Sequence, residues 1–266
     1  MEFAGTVASV GKAVTRFRAG DQVFGGTLLK FGAHAEYVCL PEDGLVETKP
    51  ANMTLDDAAA VFFGGTTVLS YLRKAKIEAG HKVLVYGASG SVGVFAVQLA
   101  KHFGAHVTAV RSTANLAMVK SLGADEVVDY TRQDFSQAGR VYDMVFDTVG
   151  KSGFWRSLRC LKRGGLYVLV AFLGRKSFVI NVAGALLGGV WAWAARRVRV
   201  VSTPKPAGIQ GLRLLKELIE SGTLRTVIEK RYPLADIASA HRHAEAGHKK
   251  GHVLILLEPE SASGER

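Results

Sequence analysis

The sequence predicts an α/β protein centred on a doubly wound parallel sheet. Two observations carry this. Short apolar runs fit for buried strands alternate with helical patterns through the middle of the chain. One such run also passes through a glycine-rich turn directly into a helix. The 266 residues suffice for one large or two ordinary domains. With 48% hydrophobic and 21% charged residues, the composition is that of a folded chain, not a disordered one.

Taken in order, residues 1–63 read as β-rich. A short strand is predicted over residues 6–10, and the turn around Ala19-Gly20-Asp21 enters a second. Residues 35–40 alternate well enough for a third. Thr54 is a helix N-cap with Asp57 as its third-position partner. Gly64-Gly65-Thr66-Thr67 opens a helix over 68–76. Further on, helices are predicted over 114–122, stopped by Gly123, and over 154–161, stopped by Gly164-Gly165. Strands are predicted over 126–130, 142–147 and 166–172. After Pro204 come a helix over 212–221, a strand near Val227, a helix over 235–246 and a last strand over 251–257.

The stretch 82–111 organises the chain. Val83 to Tyr86 is a buried strand, and Gly87, Gly90 and Gly93 punctuate the turn that follows. Val94, Val97, Leu99 and Ala100 recur at helical spacing, Gly104 closes the helix, and Val107 to Val110 make the next strand. This is a βαβ unit of about 30 residues whose turn sets backbone N–H groups and a helix N-terminus against a diphosphate. The alternative is a tight strand-to-helix turn with no ligand. In such sheets ligands bind beyond the carboxyl ends of the strands, here near Gly87, Arg111, Gly150 and Phe172. NAD-selective folds place a carboxylate at the end of the second strand. This chain has Arg111, Ser112 and Thr113 there, which suit a 2′-phosphate and favour NADPH over NADH.

Other chemistries fail on spacing. Ser91 stands where a nucleophile elbow needs its second glycine, the one Gly-Lys-Ser, at 150–152, has Val145 where a P-loop needs its first glycine, and no tyrosine is followed four residues on by lysine. His241, His243, His248 and His252 form the one histidine cluster, and they read as surface side chains on a basic helix. No metal site is expected. Asp143 reads as structural, and Asp147 as either structural or near the cofactor. The formal charge of +11 comes without an RNP-like motif, zinc-finger spacing or basic-region helix, so no nucleic-acid partner is expected. Cys39 and Cys160 make no disulfide framework, and Met1 leads into no signal stretch, so a reducing, cytoplasmic location is expected. Residues 177–195 approach the length of a membrane span, but Asn181, Gly184, Gly188 and Gly189 interrupt them and both flanks are basic. They read as a buried or subunit-interface segment, not a stable span.

The motifs together resemble the medium-chain dehydrogenase/reductase superfamily, in its zinc-independent quinone oxidoreductase branch. They are Y-G-A-S-G-S-V-G, S-L-G-A-D-E-V-V-D-Y-T, Y-D-M-V-F-D-T-V-G and A-H-R-H-A-E-A-G-H-K-K-G-H-V, preceded by F-R-A-G-D-Q-V-F-G-G and A-A-A-V-F-F-G-G-T-T. The resemblance implies a partial GroES-like β domain formed from both chain ends, 1–63 and 204–266, around a Rossmann NAD(P)-binding domain, 64–203. It maps the diphosphate turn onto Ser89, Gly90, Ser91, Val92 and Gly93. The adenosine-phosphate region maps onto Arg111, Ser112, Thr113 and Tyr130, and the nicotinamide side onto Thr67, Val149, Gly150, Ala171 and Phe172. Three departures stand out. The opening part of the GroES-like domain is missing, the cysteines of the zinc-binding relatives are absent, and Asn115 stands where many NADPH-binding relatives carry Lys or Arg.

The resulting expectation is an NADPH-dependent reductase of a quinone or α,β-unsaturated carbonyl, a homodimer with a small-molecule substrate and no assigned catalytic side chain. The rivals are a non-catalytic NADP(H)-binding protein with an incomplete cleft and a peripheral membrane scaffold.

Overall fold

The computed structural model describes residues 1–27, 31–137, 139, 141–170, 198–201, 206–247 and 249–257. They divide into two compact units, Met1–Phe63 with Gly208–Arg266, and Gly64–Ala207.

In the first unit, strands β1 (Glu2–Thr6), β2 (Gln22–Gly26) and β3 (Val46–Thr48) form an antiparallel sheet in that order. The strand expected over 6–10 lies nearer the N-terminus. Val7 makes the last contacts of the ladder, its N–H to Asp21 O and its carbonyl to Gly20 N–H, both 2.9 Å, before the chain turns at Gly11 and Val14. The strand expected over 35–40 does not form. Its alternation has no neighbour: among the described residues no backbone hydrogen bond ties it to a ladder, and Tyr37 is 75% exposed. Helix α1 (Leu55–Ala59) starts as the sequence predicts. Thr54 Oγ1 accepts the Asp57 N–H at 3.1 Å, and its hydroxyl donates to Asp57 Oδ2 at 2.7 Å.

The second unit begins on α2 (Phe62–Ala75), which starts earlier than the sequence suggests. Gly64 lies inside this helix where a neighbouring helix, α3 (Ser91–His102), approaches closely. A Cβ at Gly64 would fall 2.7 Å from both the Phe95 ring and Ser91 O. Strands β4 (Lys82–Tyr86), β5 (His106–Arg111), β6 (Glu126–Asp129), β7 (Tyr142–Asp147), β8 (Leu161–Leu169) and β9 (Val198–Val201) form one sheet, ordered β6-β5-β4-β7-β8-β9. Every pairing is parallel. Leu84, Val110, Val128, Val145 and Tyr167 share one core cluster, and Val83, Val85, Met144 and Phe146 are also fully buried. A sheet covered on both faces needs such near-continuous apolar strands. Each such side chain contributes about 1.5–3 kcal/mol by leaving water.

Helices α4 (Leu116–Ser121), after a 3₁₀ turn at Thr113–Asn115, and α5 (Phe154–Leu158) are the remaining helices among the described residues of the second unit. Gly164-Gly165 do not stop α5. They lie within β8, where the register against β7 shifts between Tyr142 and Met144.

The chain then returns to the first unit. Helix α6 (Gly208–Glu220) buries Leu212, Leu215, Leu218 and Ile219 on one face. Asn52 Nδ2 donates to Ile219 O at 2.8 Å. Strands β10 (Ile228–Pro233) and β11 (His252–Leu256) pair in parallel, joined through α7 (Ile237–Glu245). The stretch 177–195 lies outside the described residues. Among the described residues no helix is long and apolar enough to cross a membrane.

Candidate functional site at the strand ends

Because the six strands run parallel, their carboxyl ends share one edge of the sheet. The chain reverses its direction of winding between β4 and β7, the switch point at which open α/β sheets hold ligands. The sequence-predicted residues fall into three groups along that edge.

The first group is the turn after β4. Gly90 is the N-cap of α3 and brings no side chain, and the first intrahelical bond runs from Val94 N–H to Gly90 O at 2.9 Å. The N–H groups of Ser91, Val92 and Gly93 therefore meet no acceptor among the described residues. No acidic residue occupies the first turn of α3, so the positive end of the helix dipole is uncompensated. Gly93 is required by packing, since a Cβ there would lie 2.2 Å from Gly87 O. Gly90 is not required by packing: a Cβ would meet nothing nearer than Gly87 O at 3.6 Å. Ser89 is fully buried, and its Oγ has no hydrogen-bond partner. Bare N–H groups, an orphaned buried hydroxyl and a Gly90 at which a Cβ would make no close contact with the described residues fit an oxyanion with several acceptor oxygens, such as a diphosphate.

The second group lies at the ends of β5 and β6. Arg111 is only 8% exposed, so it is not a solvated strand-end charge. Ser112 caps the 3₁₀ turn and Thr113 is exposed. Asp129, which the sequence reading missed, organises this corner. It accepts the Thr113 hydroxyl, the Thr131 N–H at 2.9 Å and the Thr131 hydroxyl at 2.6 Å, with Arg132 3.7 Å away. The Thr113 hydroxyl, then the Thr131 hydroxyl, hold its carboxyl below the usual carboxylate range. The signal available in the sequence was Asp-Tyr-Thr directly after a strand, the pattern of an Asx turn. Tyr130 is 42% exposed, and its ring lies 6.4 Å from that of Tyr86. Asn115 is buried, with Oδ1 unpartnered.

The third group follows β7. Val149 is 41% exposed and Gly150 is buried at φ +70°, and both N–H groups donate to Asp147. Thr67 sits in the second turn of α2, not in a strand-end loop. Ala171 and Phe172 lie outside the described residues. Asp143 is remote from this edge, at the start of β7, where it accepts the Lys82 N–H at 2.7 Å and pairs with Lys162.

No set of three or more His, Cys, Asp or Glu side chains converges among the described residues, so these do not fit a zinc ion. His243 pairs with Glu229 at 2.9 Å, and His252 is buried, its pKa pushed down to about 4 by burial. His248 lies outside the described residues. Cys39 is exposed, and burial pushes the Cys160 thiol up to about 12, which leaves it inert. A cavity of about 920 Å³ lies within the first unit, lined in part by Phe3, Val7, Val10, Phe17, Val38 and Leu254.

Two family models match the chain. Residues 1–50 match the alcohol dehydrogenase GroES-like domain, and residues 122–255 match the zinc-binding dehydrogenase family. The chain is 34% identical over 265 residues to a 2-methylene-furan-3-one reductase of Solanum lycopersicum, covering 96% of this chain and 62% of that protein. It is 32% identical over 269 residues to an NADPH-dependent alkenal/one oxidoreductase, chloroplastic, of Arabidopsis thaliana, covering 97% of this chain and 63% of that protein. The chain thus spans less than two thirds of the length of either relative. The solved quinone oxidoreductase of Coxiella burnetii superposes with a TM-score of 0.82 at 30% identity, over 97% of this chain and 78% of that one. The zinc-binding dehydrogenase match alone spans half of the sequence, and with it the chain belongs to the medium-chain dehydrogenase/reductase superfamily.

Proposed function

We propose that this chain binds NADPH along the strand-end edge and reduces a quinone or an α,β-unsaturated carbonyl without zinc. The observation that carries the reading is the turn after β4, with its uncapped N–H groups, the orphaned Ser89 hydroxyl and a Gly90 at which a Cβ would make no close contact with the described residues. In this reading the N–H groups of Ser91, Val92 and Gly93 bind the diphosphate, and Ser89 donates to one of its oxygens. Arg111 and Ser112 take the 2′-phosphate. The nearest carboxylate, Asp129, is already committed to Thr113, Thr131 and Arg132, which leaves it poorly placed to claim a ribose diol. Tyr130 offers its exposed ring to the adenosine, and Val149 and Gly150, with Thr67, Ala171 and Phe172, flank the nicotinamide. When bound, the dihydronicotinamide supplies hydride to an electron-poor carbon. Backbone donors, hydroxyls or water meet the charge that develops on the substrate oxygen. The names of the Arabidopsis and Coxiella relatives support this substrate class.

A second reading is an NADP(H)-binding protein that reduces nothing. Following NADPH absorbance against a panel of quinones and enones, beside a binding titration, decides between the two. Turnover supports the reductase, and binding without turnover supports the second reading.

A further inference from the structure

Asp147 ends β7 with its side chain fully buried, and it is surrounded by donors, every one neutral. Oδ1 accepts the N–H groups of Val149 at 3.0 Å and Gly150 at 2.8 Å. Oδ2 accepts the Ser152 N–H at 3.0 Å, the Ser152 hydroxyl at 2.6 Å and the Tyr167 hydroxyl at 3.1 Å. Burial, with Asp147 adding to it, pushes the Tyr167 phenol well above its usual value, so that hydroxyl stays a donor. Five bonds to one carboxylate fix the loop from Thr148 to Ser152 from the inside.

The same loop is locked from the outside. The Thr148 hydroxyl lies 2.9 Å from Tyr86 O and 3.2 Å from Gly87 O and shares its proton between them. Val149 Cγ2 fills the space a Cβ on Gly87 would need, at 2.1 Å. The loop after β7 and the glycine turn after β4 are therefore keyed together across the switch point of the sheet.

We propose that Asp147 is a positioning residue that, through Thr148, sets the nicotinamide-side wall at Val149 and Gly150 at a fixed place relative to the diphosphate turn. The proposal rests on the cofactor reading above. Its test compares two ligands that differ by one group, NADPH and 2′-phospho-ADP-ribose, which lacks the nicotinamide. Asp147→Asn keeps the shape but turns an amide donor toward N–H or O–H donors. The expected result is a rise of at least ten-fold in the Kd for NADPH, with the Kd for 2′-phospho-ADP-ribose within two-fold of wild type. Thr148→Val, which removes only the tie to the turn, should shift the same ratio about three-fold, and Thr148→Ser should restore it. These two variants decide the matter if Asp147→Asn does not fold. Equal weakening of both ligands, or no change in either, overturns the positioning role. If the wild type binds neither ligand, the cofactor reading itself falls and takes this role with it.

Discussion

Gly90 and Gly93 stand three residues apart in one turn, and alanine at each should do opposite things. At Gly93 the new Cβ falls 2.2 Å from Gly87 O and 2.7 Å from Ala88 C, backbone atoms that cannot rotate away. Overpacking of this kind costs about 1–3 kcal/mol, and the gain from alanine over glycine in a helix returns about 1 kcal/mol at most. A net loss near 1–2 kcal/mol lowers the melting temperature by about 2–8 °C for a protein of this size. At Gly90 the backbone, φ −76° and ψ 172°, suits any residue, and the nearest atom would be 3.6 Å away. Stability should stay within about 0.5 kcal/mol. The methyl instead enters the space where the diphosphate is proposed to lie. Losing one charge-assisted hydrogen bond there costs about 1.5–3 kcal/mol, a rise in Kd of at least about ten-fold. Thermal unfolding and NADPH fluorescence titration on both variants read the two effects separately. A Gly90→Ala protein that binds like wild type would refute the placement of the diphosphate on this turn, and a Gly93→Ala protein as stable as wild type would refute the packing argument.

Ser89→Ala deletes a buried hydroxyl with no partner, so it should leave the urea midpoint unchanged or raise it by about 1 kcal/mol equivalent, while NADPH binding weakens about ten-fold; equal binding would remove Ser89 from the site. Arg111→Gln should weaken NADPH about ten-fold (about 1.4 kcal/mol) and NADH less than two-fold, as read by parallel titrations. The first unit should show two opposed pH dependences. Burial raises Glu2 from 4.5 to about 7, so its contribution is full below pH 4.5 and is lost as pH rises through 7. Burial lowers His252 from 6.5 to about 4, so its contribution is full above pH 6.5 and is lost as pH falls through 4. The slopes cancel between pH 4.5 and 6.5. Glu2→Gln should unmask stability that rises with pH by up to about 3 kcal/mol, and His252→Gln the reverse. Urea titrations that stay flat in both variants would contradict these burials.

The Rossmann half was legible because a parallel strand buried on both faces reads as a near-continuous apolar run, as Val83 to Tyr86 does and Val107 to Val110 does with Thr108 as its one polar residue. The turn was legible because Gly87 takes a positive φ of +81° and Gly93 answers to the nearby Gly87 carbonyl. What escaped depends on partners distant in sequence. Alternation over 35–40 looks like a strand, but only a neighbouring ladder makes one. Gly64-Gly65 read as a helix opener, but Gly64 lies inside α2 where Phe95 of α3 rests on it. Gly164-Gly165 read as a stop, although a glycine pair also serves a register shift inside β8. Asp129 and Asp147 both end strands of the sheet. Their different work is set by Thr113 and Thr131 in one case and by Ser152 and Tyr167 in the other.

A calorimetric titration of the purified wild-type chain with NADPH, and separately with NADH, is the most direct test of the diphosphate cradle. The expected result is saturable binding of one NADPH per chain, tighter than NADH and competed by 2′-phospho-ADP-ribose. Absence of binding to either nucleotide would contradict it.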